Sequence, residues 1–433
     1  MKKVIAALLT VLIITSAWVT VLTHLNAPTE DSEVKKYIDL AEQQCAAGAY
    51  GSAIRLYQRV LSKEDTVRLR LRLAEIWRLY GNGSGYSNEL KELIRVYPED
   101  ERAHVLLAEL YYSNADFRRC CDVITNARTD GVESKVLDEM YRKCAYRYEV
   151  LADQFEFAGV FVGERASVQK DGKVFIVNST LKMINRDGFE FTDAFFGSSA
   201  AVKTEEECFF IDKNGEKYMV VDQSYTNLYS YSDGMAAFES SGKFGYIDIF
   251  GQKVLGDYAF ASTFSHGFAA VCDEKGWYII DIEGESMMNT RYKSVKLDEK
   301  NTIGSGAFCF VYKDGDWIIL DTKSWKLGMA KFEDARAPTG DNIAAVRQDG
   351  VWGFVDKNGS LLIKPKYEDA TSFSCGLAAV KQGGLWGYID LEGHTVIDFV
   401  FEDANRFSDN GMAPVKINGK WKYIKLKYRE NLK

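Results

Sequence analysis

Gly-Leu-Ala-Ala-Val-Lys-Gln-Gly-Gly-Leu-Trp-Gly-Tyr-Ile-Asp, residues 376–390, is the stretch on which the reading of this chain turns. Its closing string, Trp-Gly-Tyr-Ile-Asp, returns with variations through the second half of the sequence. Aligning on the terminal Asp gives Asp212, Asp248, Asp281, Asp321, Asp356 and Asp390, with Asn178 in an earlier degenerate copy and Lys425 in a truncated last one. The period is near 35, with one insertion expected around residues 324–341. Four positions before each anchor stand Val174, Cys208, Phe244, Trp277, Trp317, Trp352, Trp386 and Trp421, so five of the eight Trp residues share one phase. A fixed period of this length is the signature of a repeat architecture, and the count is about eight copies.

Within a copy the pattern alternates with period two, as in strands with one buried face. Residues 377–381 read as one strand, 382–384 as a turn, 385–391 as the return strand and 394–399 as a third. A short apolar piece follows at 401–407, matching 367–373 and 332–337. Such a meander cannot bury both faces alone, so neighbours must stack. Eight units could close into a propeller-like ring whose chain ends share a blade, or remain an open β-solenoid. The Gly after Trp (Gly245, Gly353, Gly387) marks a bulge or a close crossing. A Trp of the next unit packed over it is the expectation, and a ligand groove is the alternative.

These strings resemble the bacterial WG-repeat family: Gly-Leu-Ala-Ala-Val-Lys (376–381), Leu-Trp-Gly-Tyr-Ile-Asp (385–390), Val-Trp-Gly-Phe-Val-Asp (351–356) and Phe-Gly-Tyr-Ile-Asp (244–248). The resemblance spans residues 155–427 and weakens toward the N-terminal copies, where 174–178 and 208–212 lack both Trp and Gly. It implies an all-β binding or scaffold module and brings no catalytic residues.

Lys2 and Lys3 precede residues 4–25, which contain no carboxylate, Lys or Arg. At about 1.5 Å per residue these 22 residues would span roughly 33 Å, enough for a bilayer. The expectation is an uncleaved signal-anchor within 1–28, with the N-terminus cytoplasmic and the bulk of the chain extracytoplasmic at the cell membrane. Secretion after signal cleavage is the alternative. The eight Cys form no Cys-x-x-Cys, and no His cluster accompanies them. Cys208 and Cys309 read as small core residues, and the remaining thiols as reduced or as pairs that sequence cannot assign. A net charge of −8 argues against a nucleic-acid partner.

From residue 32 to 155 the period becomes helical. Leu40, Ala41, Gly48, Tyr50, Ala53, Ile54 and Tyr57 begin one copy of a pattern repeated from Leu73 and from Leu107. This resembles a three-repeat tetratricopeptide array, with residues 134–155 as a capping helix running almost into the first strand. The resemblance implies a concave groove lined by the first helix of each pair. Its second position holds Lys35, Arg68 and Arg102, and its ninth Glu42, Glu75 and Glu109. One reading is a basic rail of Lys35, Arg68 and Arg102 that binds an acidic or C-terminal carboxylate. The other is that the two ladders neutralise each other as surface pairs.

No constellation for catalysis, a metal or a cofactor is evident. His24, His104, His266 and His394 have no Ser, Cys or Asp partner implied by spacing. The anchors in Asp-Lys-Asn-Gly (212–215 and 356–359) suit tight turns better than calcium loops. The Glu-Asp pairs 333–334, 368–369 and 402–403 recur once per repeat, whereas a glycosidase needs one unique pair. The sequence thus predicts an α+β multidomain chain: a transmembrane segment (1–28), helical repeats (32–155) and a WG-repeat β-domain (156–433). Its expected function is a non-catalytic, membrane-anchored scaffold recognising a protein or cell-envelope ligand, without a cofactor. A cell-envelope hydrolase with a site between repeats, and a cytoplasm-facing membrane scaffold, are the alternatives.

Overall fold

A computed structural model describes residues 32–427 except 198 and 223. The chain divides into two compact units at Ala145/Tyr146. The first is helical: α1 (Ser32–Ala46), α2 (Tyr50–Leu61), α3 (Val67–Leu79), α4 (Gly83–Val96), α5 (Glu101–Ser113), α6 (Phe117–Thr129) and α7 (Lys135–Ala145). Capping explains several boundaries. Thr66, Asn82, Asp100 and Asp116 each accept a backbone N–H from the first turn of the helix that follows, satisfying donors with no partner inside the helix. Consecutive helices pack as hairpins around Ala41, Ala53, Ile54, Tyr57, Leu69 and Leu73. The small residues let the helix axes approach closely.

The second unit is eight antiparallel sheets. Blade 7 shows the plan: a two-residue first strand Asp369–Ala370, then Ala378–Gln382, Leu385–Ile389 and Thr395–Phe401, hydrogen-bonded in that order. Blade 8 supplies only three strands in sequence. Its fourth is Tyr148–Val150 from the other end of the unit, paired with Lys420–Leu426 through Tyr148↔Leu426 and Val150↔Ile424. The chain ends therefore share a blade, and the repeats form a closed eight-bladed β-propeller rather than an open solenoid. Closure reuses an ordinary inter-blade contact. Tyr246 and Tyr388 donate their hydroxyls to the carbonyls of Ser262 and Asn405 in the next blade, at 2.7 and 2.8 Å. Across the seam, Tyr423 of blade 8 does the same to Gly159 of blade 1, at 2.7 Å.

Four expectations are corrected. Residues 146–155 do not continue the capping helix, because Tyr148–Val150 completes the last blade's hydrogen-bond ladder. The repeat insertion does not lie at 324–341. The long step is the one from Asp281 to Asp321, and it falls in blade 5 before Phe308–Lys313. The glycine after Trp is crossed by its own blade's fourth strand, not by a neighbouring Trp: a Cβ at Gly387 would lie 2.6 Å from the Ile397 carbonyl oxygen. Finally, the single-pass membrane anchor, and the cell-membrane localisation built on it, find no support. No helix among the described residues is long and apolar enough to cross a membrane. The longest, α1, has 15 residues, about 22 Å of helix against a hydrocarbon core of roughly 30 Å. The segment 1–28 itself lies outside the described residues.

Candidate functional site

Ion pairs place the first strands beside the ring axis. Lys296 of blade 5 reaches Asp334 of blade 6 at 2.7 Å, and Arg336 of blade 6 reaches Asp369 of blade 7 at 3.0 Å. Each cation also lies over the indole of its own blade, Lys296 over Trp317 (4.3 Å) and Arg336 over Trp352 (4.8 Å). The phased Trp residues thus do two jobs. Trp352 and Trp386 are buried in the core, while Trp277, Trp317 and Trp421 are half-buried and flank it. Trp317 and Trp352 also seat a cation that ties adjacent blades together.

In an antiparallel meander successive loops alternate between sheet ends, so the loops from first to second strand gather at one mouth of the ring. Blade 5 carries the insertion here, residues 298–302. From it Glu299 ion-pairs with Arg406 of blade 8 (Nε to Oε1, 2.7 Å), three blades away. Lys300 extends the other way, its Nζ 5.9 Å from the Phe196 ring of blade 2. The Asn301 carbonyl accepts the Thr263 N–H of blade 4 at 2.8 Å. A loop that touches blades three positions away on both sides lies across the axis. Arg406 is held in place by Ser374 Oγ at 3.3 Å.

The mouth is acidic and poorly solvated. Burial pushes the Asp193 carboxyl up to about 6, with Asp298 adding repulsion. Burial and Glu299 raise Asp298 as well. Desolvation acts on the partly exposed Glu299 in the same direction, but the Arg406 guanidinium, a backbone hydrogen bond and Lys300 together outweigh it and hold that carboxyl below its ordinary value. Thr263 Oγ1, Asn301 Nδ2 and Asn410 Nδ2, on these same loops, are buried without a protein hydrogen-bond partner. Hydrogen-bonding capacity therefore remains at this mouth. The arrangement can grip a polar or charged group.

The polar residues that recur through the repeats are occupied with turns. Asp212, Asp248, Asp281 and Asp356 each accept two backbone N–H groups from their own turn. Glu333, Glu368 and Glu402 accept the N–H groups of Gly350, of Gly383 and Gly384, and of Gly419, closing the next hairpin turn of the same blade. Their neighbours Asp334, Asp369 and Asp403 accept the following residue's N–H. Sequence spacing gave His266 no partner, yet Ser265 Oγ lies 2.8 Å from its Nδ1. Among the described residues no carboxylate contacts that imidazole, and Ser265 also reaches the Gly304 carbonyl. One group with metal-ligand spacing occurs among the described residues, Asp390, Glu392 and His394. It is the same turn as in the other blades, with the Asp390 carboxylate accepting the His394 N–H at 2.8 Å.

In the helical unit the predicted site residues are spread over three helices. Lys35 is exposed on α1, Arg68 is half-buried on α3, and Arg102 on α5 folds back onto Asp100 at 2.6 Å. A cation that engages the carboxylate ladder is Arg72. It bonds Glu42 through Nε at 2.8 Å and Glu75 through Nη1 at 2.7 Å, while Tyr57 donates its hydroxyl to Glu42. Arg72 sits at the sixth position of its helix, outside the two positions that the family pattern singles out. One turn of helix separates it from Glu75, which was the available signal. The place equivalent to Arg72 in the next pair is Leu106, and the half-buried Glu109 has its carboxyl raised by burial.

The WG containing repeat model matches residues 244–277, 352–386 and 386–421. These matches support a WG-repeat protein and are confined to the propeller. The tetratricopeptide resemblance of the helical unit rests on its packing pattern alone. No curated protein matches the chain. Similar solved structures include PorZ, a bacterial surface component of the type-IX secretion system of Porphyromonas gingivalis. PorZ is 13% identical, with a TM-score of 0.36, covering 63% of this chain and 42% of PorZ. This chain thus spans less than half the length of that protein. A eukaryotic initiation factor is 12% identical, with a TM-score of 0.42, covering 66% of this chain and 88% of the other. Kluyveromyces lactis Hsv2 is 12% identical, with a TM-score of 0.36, covering 60% and 92%. A propeller of repeated blades is an architecture suited to protein binding, and the repeat matches together with the eight-bladed ring support that coarse scaffold reading.

Proposed function

We propose that this chain is a non-catalytic scaffold that binds a protein partner on the propeller rim. The observation that carries this is the position of the exposed apolar side chains. Tyr218, Val254, Met329, Leu362 and Val400 lie on the fourth strands of blades 2, 3, 5, 6 and 7, and Met329 is 96% exposed. Each of these strands is also the edge of its sheet, with one row of backbone N–H and C=O groups facing outward. Apolar side chains beside an open backbone ladder suit a protein surface or an added strand. The recurrent carboxylates, in contrast, are committed to turns.

The test uses residues 29–433 to capture a partner from cell extract, followed by rim variants. Met329→Glu together with Leu362→Glu should abolish capture of the same protein and leave the melting temperature unchanged. Retention of the partner would move the site elsewhere. Reversing Arg68 and Arg102 to Glu asks the same question of the helical groove, where loss of capture that weakens further with salt would favour the basic rail. Turnover of any substrate in a hydrolase panel, lost on His266→Ala, would replace the scaffold reading with an enzyme.

A further inference from the structure

Of eight cysteines, three meet in one place. Cys120 and Cys121 stand in the second turn of α6, and Cys144 stands in the last turn of α7. All three are buried, at 0%, 4% and 0% exposure. The Cys144 thiol donates to Cys120 Sγ at 3.5 Å, and Cys121 also hydrogen-bonds to Cys144. Among the described residues, Cys45, Cys208, Cys272, Cys309 and Cys375 have no such thiol neighbour. Vicinal cysteines facing a third are not needed to fill a helix–helix contact, which Ala or Val would fill without a reactive group.

We propose that Cys120 and Cys144 are a site of oxidative modification, forming a disulfide that locks α7 onto α6 when the protein meets a small-molecule disulfide such as oxidised glutathione. The chemistry balances in two exchanges. One cysteine thiolate attacks a glutathione sulfur, forming a mixed disulfide and releasing one glutathione thiolate. The second cysteine, deprotonated in turn, attacks the protein sulfur of that mixed disulfide and releases the second glutathione. Two protein thiols are oxidised, one glutathione disulfide is reduced to two thiols, and both protons go to the released glutathiones.

Geometry and reactivity both bear on this. A disulfide needs an S–S separation of about 2.05 Å, so the sulfurs must close by roughly 1.5 Å, within the reach of a χ1 adjustment. The hydrogen bond that Cys121 donates to Cys144 and burial both push the Cys121 thiol up, which disfavours a thiolate there. The 3.5 Å approach of the two sulfurs makes Cys120 the partner of Cys144. Because the thiols are buried, the oxidant gains access when α7 frays, and oxidation is slow until that terminal helix opens. Once formed, the bond closes a loop between residues 24 apart in sequence and suppresses that same opening.

The experiment treats the full chain with oxidised glutathione, alkylates the remaining thiols and maps peptides by mass. The expected product has lost two hydrogens and joins the Cys120 and Cys144 peptides. Amide exchange within Lys135–Ala145 should slow by about a hundredfold relative to the reduced protein. Cys121→Ser should keep the cross-link, and Cys120→Ser should lose it. The wild-type map stands even if a variant fails to fold. Three free thiols after oxidation, a glutathione adduct that never resolves, or a bond from Cys144 to Cys121 would each overturn the proposal.

Discussion

Blades 6 and 7 and blades 1 and 4 are built on one plan, yet only the first pair has a full fourth strand, and the two pairs differ in the residue that follows the phased Trp position. After the anchor Trp, blades 6 and 7 carry Gly353 and Gly387. The fourth strands Leu361–Tyr367 and Thr395–Phe401 bulge and press against them, with register shifts between Trp352 and Phe354 and between Trp386 and Tyr388. A Cβ at Gly353 would lie 2.6 Å from the Pro365 nitrogen. Blades 1 and 4 have Phe175 and Tyr278 at that position, and the fourth place is held by isolated bridges, Val174↔Phe189 and Val177↔Met183 in one, Trp277↔Tyr292 and Ile280↔Ser286 in the other. Blade 5 keeps a six-residue fourth strand beside Ile318. The glycine therefore governs how closely the rim strand seats, not whether one exists. The repeat motif records backbone proximity more than side-chain chemistry.

The largest effect should come from removing the Trp that blades 4, 6 and 7 share. Trp352→Ala, at a core position, should cost about 3–5 kcal/mol in a denaturant melt. Trp277→Ala, at the half-buried counterpart in blade 4, should cost clearly less. Equal losses would mean that the close-packed blades gain nothing from their tighter seat. Next in size is Gly387→Ala, where the new methyl must displace backbone. A loss of about 1–3 kcal/mol is expected, with faster amide exchange across Thr395–Phe401. Tyr278→Ala in blade 4 should speed exchange in residues 286–292 for the opposite reason, because it removes the ring on which the Arg291 guanidinium lies, 3.4 Å from the centroid. The smallest effect is a pH dependence peculiar to blade 2, which has Asp193 where blades 7 and 8 have the neutral Thr371 and Asn405. A carboxyl raised to about 6 in the folded state contributes stability that is fully present below its unfolded value near 4. That contribution is lost as pH rises through 6. The melting temperature should therefore fall between about pH 4 and 6, and Asp193→Asn, which can still accept the Ser230 N–H, should flatten the slope. An unchanged slope in the variant would assign the dependence to Asp298.

Much of the propeller was legible in the sequence, because period-two alternation and a recurring Trp are local signals. The count of eight, the hairpin turns and the turn role of the anchor carboxylates all follow from residues within one repeat. What escaped was non-local. Tyr148–Val150 carries no repeat motif, and only the vacant edge of blade 8, nearly 280 residues later in the chain, makes it a strand. The insertion was visible as the long step from Asp281 to Asp321, but its role depends on Arg406, 107 residues away. In the helical unit the ladders were read from family positions, while Arg72 takes its partners from two helices, Glu42 on α1 and Glu75 on its own α3.

The Glu299–Arg406 pair has a consequence for how such a ring can evolve. Propellers grow and shrink by duplication or loss of whole blades, and a contact between neighbours survives that because every blade has a neighbour. A contact between blade 5 and blade 8 does not. One blade gained or lost between them would swing Arg406 by about 45° around the axis and strand a carboxylate and a guanidinium apart in a poorly solvated mouth. The crossing loop thus acts as a ratchet on copy number, so that a lineage which acquires it can vary its blades one by one but can no longer change how many it has.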